Sequence, residues 1–156
     1  MGQEYRRIIS RRVMESNIVN AVGVWFYAQS TQRYLYLMRN DRRNAGFWGL
    51  PGGKVNAGES LLTALQRECQ EELGTMPDYL QLIPVEKFTN PESSFCYHTF
   101  WCATPAEFVP KLNHEHIGYA WIQSGSWPRP MHPGLWNTVN ADVLLDKIRL
   151  AEQTNL

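Results

Sequence analysis

The sequence predicts a single α/β domain in which helices cover a mixed β-sheet. Segments rich in β-branched and aromatic residues stand both before and after one strongly helical segment, and a second helical segment follows near the C-terminus. The chain has 156 residues, enough for one domain with its own core. It contains no internal repeat, low-complexity tract or Gly/Ser linker. We therefore expect one domain over residues 1–156, with one functional site.

The N-terminal half is predicted to contain a β-hairpin. Residues 18–28 (IVNAVGVWFYA) have the composition of a central strand, and residues 34–39 (YLYLMR) form its partner after a short turn. The arginine-rich residues 4–14 that precede it are expected to be a short helix or an extended lead-in. Residues 40–53 (NDRRNAGFWGLPGG) form a polar loop that ends in two glycines.

The best-defined element is a helix over residues 60–73. Its apolar residues recur at intervals of three and four, with Ser60 as the N-cap and Gly74 as the residue that ends the helix. The stripe expected to be buried consists of Leu62, Leu65, Cys69 and Leu73.

The C-terminal half is predicted to add three strands and one helix. The strands cover residues 80–89, 95–103 and 118–122. After a Pro-rich loop (SWPRPMHPG), a helix is expected over residues 139–152. Its buried stripe is expected to consist of Val143, Leu144, Ile148 and Ala151.

Composition excludes several kinds of partner. Lys plus Arg and Asp plus Glu both number 15, so the net charge provides no attraction to nucleic acid or to an anionic membrane. Apolar runs such as residues 21–28 fall short of the roughly 20 residues of a membrane helix, and the N-terminus lacks the apolar region of a signal peptide. Three cysteines without a CxxC pair indicate structural thiols in a reducing cytoplasm: Cys69, Cys96 and Cys102.

Three glutamates crowd one turn of the first predicted helix. Glu68, Glu71 and Glu72 share one face, which lies beside the apolar stripe. Their mutual repulsion, made worse by partial burial, would raise their pKa values or fray the helix. A divalent cation removes this conflict, and Mg²⁺ prefers carboxylate oxygens. The alternative is a solvated face on which Arg67 pairs with Glu71 at i, i+4.

Glycines upstream of the helix favour the metal site over the solvated face. Gly52 and Gly53 allow the backbone to pass close to a ligand, and Glu59 stands at the helix entrance. Cys69 and Thr75 stand at packing positions where the pattern GX5EX7REUXEEXGU has a bulky aliphatic residue, U. Every other fixed position of this pattern is matched, by Gly53, Glu59, Arg67, Glu68, Glu71, Glu72 and Gly74.

This pattern is the Nudix box, and the chain resembles the Nudix hydrolases over residues 18–122. The resemblance implies an α/β/α sandwich with a mixed sheet. It also implies hydrolysis of the phosphoanhydride in a nucleoside diphosphate linked to another moiety. The expected cofactor is Mg²⁺ or Mn²⁺, and the expected partner is a small-molecule nucleotide. The resemblance leaves residues 1–17 and 123–156 unassigned and is compatible with a homodimer.

The resemblance also implies roles for the box residues. Arg67 resembles the residue that orients a box glutamate through a salt bridge, and Glu59 resembles the supporting carboxylate at the box entrance. Family members differ in which glutamate is the general base. The implied metal ligands are the backbone carbonyl of Gly53 and the carboxylates of Glu68, Glu71 and Glu72.

Outside the box, Glu115 stands in the loop before residues 118–122. Several Nudix enzymes carry an extra metal-binding or basic glutamate at this place. A catalytic or metal role and a solvated loop carboxylate are both open for Glu115. The flanking His114 and His116 are interpreted as surface or substrate-edge residues, since no further cluster of Cys or His supports a zinc site.

Candidate substrate-binding residues precede the box. Arg39 and Arg43 are candidates for binding phosphates, against the alternative of a charged turn tip, and Trp48 either stacks on a base or covers the core. Pro91, 16 residues after Thr75, stands where some ADP-ribose hydrolases of the family carry a proline. We therefore expect a nucleotide sugar or ADP-ribose as substrate. A MutT-like nucleoside triphosphatase and a non-catalytic nucleotide sensor are the alternatives.

Overall fold

The computed structural model describes residues 18–155 and confirms an α/β fold. The arginine-rich residues 4–14 therefore lie outside the described part of the chain. The described strands are β1 (Val19–Ala28), β2 (Arg33–Arg39), β3 (Trp48–Gly49), β4 (Gly52–Lys54), β5 (Gln81–Thr89), β6 (Phe95–Thr104) and β7 (His116–Gln123). The described helices are α1 (Leu61–Leu73), α2 (Pro133–Val139) and α3 (Asp142–Thr154).

The strands form one mixed sheet centred on β1. Strand β1 runs parallel to β6 along its whole length, and on its other edge it pairs antiparallel with β4 near its start and with β2 at its end. Strand β5 pairs with β6, while β3 and β7 both pair with β2, all antiparallel. The order through the centre is β3-β2-β1-β6-β5. The loop after β4 therefore leaves the middle of the sheet and leads directly into α1.

Two hydrophobic cores lie on opposite faces of this sheet. Along β1, Val22, Val24 and Phe26 face the first core, whereas Trp25 and Tyr27 face the second. Helix α1 covers the first core, and α2 and α3 cover the second. The arrangement confirms the expected α/β/α sandwich.

Helix α3 is tied to the sheet by a buried polar network around Tyr34. The Tyr34 hydroxyl donates to Oε1 of Glu152 at 2.6 Å and accepts a hydrogen bond from Nε1 of Trp101 at 2.9 Å. The hydroxyl of Ser124 donates to the same Glu152 oxygen, also at 2.6 Å. These bonds satisfy the polar atoms that the second core would otherwise bury without partners.

The predicted boundaries of α1 are confirmed by its caps. The Ser60 side chain accepts a hydrogen bond from the backbone N–H of Thr63, and Gly74 ends the helix in the left-handed conformation at φ 86°. The prediction that Leu62 belongs to the buried stripe is wrong, because this residue is 56% exposed. Ala64 lies in the buried stripe in its place.

The C-terminal helix predicted over residues 139–152 is confirmed as α3, which begins at Asp142 and ends at Thr154. Helix α2 was not predicted: it begins within the Pro-rich loop, with Pro133 in its first turn, and the extended backbone of Ala141 (φ −88°, ψ 107°) separates it from α3. Leu144, Ile148 and Ala151 are buried as expected, but Val143 is 72% exposed.

Strand β7 is longer than predicted and begins at His116. No helix in the range 18–155 is long and apolar enough to cross a membrane.

The conformation at Gly74 provides a stability test. An alanine Cβ there would lie 2.8 Å from Cβ of Lys111, in addition to the left-handed φ. Gly125 has nearly the same φ, 85°, but an added Cβ would meet no atom within 4 Å. We expect Gly125→Ala to cost about 1–2 kcal/mol in the free energy of unfolding, and Gly74→Ala to cost clearly more. Urea unfolding of both variants measures this, and equal costs would contradict the contact with Lys111.

Candidate active site

The acidic turn of α1 is divided between the core and the solvent. Glu68 and Glu72 are 8% and 3% exposed, respectively, and lie beside the apolar residues that pack on the sheet. The Glu71 side chain is 52% exposed. Helix packing therefore holds two carboxylates at the border of the core and leaves the third at the rim.

Strand β4 passes directly beside the two buried carboxylates. Gly52 and Gly53 pair with Gly23 and Val22 of β1, which places their backbone below α1. The backbone N–H of Gly52 donates to Oε2 of Glu72 at 2.9 Å. A Cβ on Gly53 would lie 2.5 Å from Oε1 of Glu68, so a side chain at this position would displace the carboxylate.

A single guanidinium organises the remaining box carboxylates. Nε and Nη2 of Arg67 donate to the two oxygens of Glu59 at 2.8 and 2.9 Å, as a bidentate pair. Nη1 donates to Glu68 at 2.9 Å and lies 3.4 Å from Glu71, and Nη2 also donates to the carbonyl of Lys54 at 2.9 Å. Arg67 thus joins the helix, the loop before it and the end of β4.

The pKa values differ among the carboxylates of the site, because their burial and their hydrogen-bond partners differ. The Arg67 hydrogen bond, with the Asn56 N–H, lowers the pKa of Glu59 to about 2. Burial raises the pKa of Glu68, and Arg67 opposes this. Burial also raises the pKa of Glu72 to about 9, since the one Gly52 N–H does not compensate for lost water and for the charges of Glu68 and Glu115. Glu72 is therefore the carboxylate whose charged form a bound cation would stabilise most.

The loop before β7 brings two further groups to Glu72. A carboxylate oxygen of Glu72, one of Glu115 and a ring nitrogen of His116 lie within 4.8 Å of one another. Glu115 is exposed, whereas His116 is only 9% exposed. The interpretation of His116 as a surface residue is therefore wrong, because β7 begins at this residue and pairs it with Arg39 of β2, while a place at the edge of the substrate stays a prediction. His114 is exposed, as expected.

The donor set fits a divalent cation. Carboxylate oxygens and a neutral imidazole are ligands that such ions accept. Burial, aided by the charge of Arg39, lowers the pKa of His116 to about 4, so its imidazole is neutral around pH 7.

Glu68 and Gly53 lie next to each other on the same side of α1 as Glu72. Glu71 contacts Arg67 and is not part of the group formed by Glu72, Glu115 and His116.

The candidate substrate residues occupy different environments. Nε of Arg39 pairs with Asp41 at 2.8 Å, and Arg43 is exposed in the turn that follows. Trp48 pairs with Met38 of β2 and packs against the second core, so one face of its ring has a structural role. Binding of substrate by these three residues stays a prediction.

Two site residues were missed by the sequence analysis. His116 was dismissed because no Cys or His cluster accompanies it, although it directly follows Glu115. Asn113 was not considered: its side chain donates to the carbonyl of Glu71 and accepts from the N–H of Glu115, both at 2.9 Å. No local pattern indicates these two residues, because their contacts arise from the pairing of β2 with β7 and from a hydrogen bond to α1.

The raised pKa of Glu72 predicts how stability depends on pH without metal. The folded state holds this proton more tightly than the unfolded state, whose pKa is about 4.5, so the free energy of unfolding falls as pH rises from about 4.5 to about 9. Glu72→Gln keeps an oxygen for the Gly52 N–H and removes the titration. We expect its stability to decline less over this window, by at most about 1.4 kcal/mol per pH unit relative to the wild type. Urea unfolding in EDTA measures this, and parallel pH profiles would contradict a buried carboxylate at Glu72.

Comparisons with known proteins identify the family of this chain. The model of the NUDIX domain matches residues 18–140. The nucleoside triphosphatase NudI of Escherichia coli is 32% identical over 108 residues, which cover 61% of this chain and 76% of NudI.

Solved structures agree on the fold. The structure of a MutT protein from Methanosarcina mazei has 28% identity and a TM-score of 0.54, and covers 88% of this chain and 92% of that one. A MutT NUDIX hydrolase from Burkholderia pseudomallei has the same fold, with 22% identity, a TM-score of 0.61 and coverage of 81% and 96%. The chain therefore belongs to the NUDIX family and is a hydrolase acting on phosphorus-containing anhydrides.

Proposed function

We propose that this protein is a metal-dependent pyrophosphohydrolase that cleaves the phosphoanhydride of a nucleoside diphosphate linked to another group. The observation that carries the proposal is the pair of buried carboxylates, Glu68 and Glu72, held beside the Gly52–Gly53 backbone. Burial of two like charges 4 residues apart on a helix is costly unless a cation compensates it. All box carboxylates are present, which argues against the non-catalytic sensor.

The residues have separate proposed roles. Glu68, Glu72 and the backbone of Gly53 would hold Mg²⁺ or Mn²⁺, and Glu71 would complete the site from the rim. When bound, such ions neutralise the diphosphate and make an attacking water more acidic. Arg67 and Glu59 position Glu68 through the bidentate pair. Glu72 and Glu115 are the candidates for accepting the proton of the attacking water.

The group linked to the diphosphate is the open part of the proposal. The relative NudI is a nucleoside triphosphatase, which favours nucleoside triphosphates, in which this group is phosphate. Nucleotide sugars and ADP-ribose are the second candidates. Pro91, which stands where some ADP-ribose hydrolases of the family carry a proline, lies in the exposed turn between β5 and β6. Arg39, Arg43 and Trp48 precede the box and are proposed to contact the nucleotide.

Four further expectations are also proposed. Residues 1–156 are proposed to form one domain, and the packing of α2 and α3 on the second core supports this for the C-terminal segment. A cytoplasmic location is supported by three free, buried cysteines. The protein is also proposed to act on small molecules and to bind neither nucleic acid nor membranes. The protein is also proposed to form a homodimer, with which the family resemblance is compatible.

One experiment tests activity, substrate and site together. Wild type, Glu68→Gln and Glu92→Gln are assayed with Mg²⁺ on nucleoside triphosphates, GDP-mannose and ADP-ribose, with phosphate or nucleoside monophosphate release as the readout. We expect kcat/KM to be highest for a triphosphate, and Glu68→Gln to reduce kcat by at least about two orders of magnitude. Glu92 is exposed in the β5–β6 turn, so the same substitution there should leave turnover unchanged.

The outcomes separate the parts of the proposal. Preferential turnover of GDP-mannose or ADP-ribose would reverse the order of the substrates and keep the reaction. Equal turnover by Glu68→Gln and wild type, with both variants folded by circular dichroism, would remove the box carboxylates from the reaction.

A further inference from the structure

His116 presents a buried polar atom that no protein group satisfies. The residue is 9% exposed, and its Nδ1 is buried without a hydrogen-bond partner in the described range 18–155. Buried polar atoms are nearly always paired, and leaving one unpaired costs free energy. The surroundings of His116 therefore indicate a partner that the protein itself does not provide.

Two carboxylates lie close to the imidazole of His116. One oxygen each of Glu72 and Glu115 and one ring nitrogen of His116 lie within 4.8 Å of one another. Two ligands about 2.0–2.2 Å from one ion lie about 3 Å apart when they are adjacent and at most about 4.4 Å apart when they are opposite, so side-chain shifts of up to about 1 Å bring all three atoms to one ion. Oε2 of Glu72 accepts the Gly52 N–H, which leaves its other oxygen available.

The loop that carries Glu115 and His116 is held in place from both sides. Asn113 donates to the carbonyl of Glu71 in α1 and accepts from the N–H of Glu115. The backbone N–H of Asn40, just after β2, donates to the carbonyl of Glu115 at 2.9 Å. The three donor atoms thus stand on elements fixed to one another, as a preorganised metal site requires.

The charges around His116 permit a cation. Arg39 lies opposite His116 in the β2–β7 ladder and would repel a cation if alone. Its guanidinium is paired with Asp41 at 2.8 Å, and a carboxylate oxygen of Glu72 and one of Glu115 lie within 4.8 Å of a ring nitrogen of His116. Two carboxylates therefore outweigh the one paired arginine.

We propose that His116 provides a ring-nitrogen ligand to a divalent transition-metal cation that Glu72 and Glu115 also bind. The inference rests on the proposed function, because Glu72 belongs to the proposed box site. An imidazole nitrogen favours Zn²⁺ and other late first-row ions most strongly and Mn²⁺ more weakly, whereas Mg²⁺ prefers oxygen ligands. His116 therefore shifts the metal preference of the protein away from Mg²⁺.

Electron spin-echo envelope modulation of bound Mn²⁺ tests the nitrogen directly. The full chain is loaded with Mn²⁺ alone, without nucleotide. Binding is monitored through the decrease in the EPR signal of free Mn²⁺. We expect ¹⁴N modulation in the wild type, its loss in His116→Gln and its retention in His114→Gln, the same change at the exposed neighbour. Labelling histidine with ¹⁵N should replace the ¹⁴N pattern, which identifies an imidazole without any variant.

Competition between Mn²⁺ and Mg²⁺ provides the second readout. We expect His116→Gln to lower the ratio of Mn²⁺ to Mg²⁺ affinity by about tenfold or more, and His114→Gln to leave it unchanged. Bound Mn²⁺ without nitrogen modulation, or an unchanged affinity ratio in His116→Gln, would overturn this inference and leave the proposed function standing. A wild type that binds no Mn²⁺ would overturn both.

Discussion

Arg67 forms the interaction on which the candidate site depends. Its planar guanidinium holds both oxygens of Glu59, one oxygen of Glu68 and the carbonyl of Lys54. These contacts fix the entry loop, the helix and the strand relative to one another in three directions, which a flexible ammonium cannot do. The same contacts compensate part of the negative charge of the acidic turn. Glu72, which Arg67 does not contact, retains the strongly raised pKa.

The fold holds the carboxylates of Glu68 and Glu72 at the edge of the first core, which α1 covers. Helix α1 packs through Leu65, Cys69 and Leu73, and this packing determines that Glu68 and Glu72 cannot turn towards solvent. Strand β4 approaches them because it is bonded to the central strand β1 and carries no side chains at Gly52 and Gly53. The packing of the sandwich thus keeps the carboxylates of Glu68 and Glu72 buried close together, and a bound cation would compensate their repulsion.

Much of this could be predicted from the sequence, because the relevant signals are local. The caps at Ser60 and Gly74 and the spacing of the box glutamates depend only on helix geometry. Leu62 and Val143 were assigned to buried stripes because periodicity indicates a face but not the edge of its contact with the sheet. His116 reaches the site through pairing of β2 with β7, residues 39 and 116, which no local pattern indicates. The hydrogen bonds of Asn113 have the same long-range origin.

The central claim is that the crowded turn of α1 is a cation site. Anomalous diffraction at the manganese edge, from crystals soaked in MnCl₂ without nucleotide, tests it most directly. The account predicts a peak between the carboxylates of Glu68 and Glu72 and the backbone of Gly53. Peaks only at exposed surface carboxylates, or none in crystals of the folded protein, would contradict it.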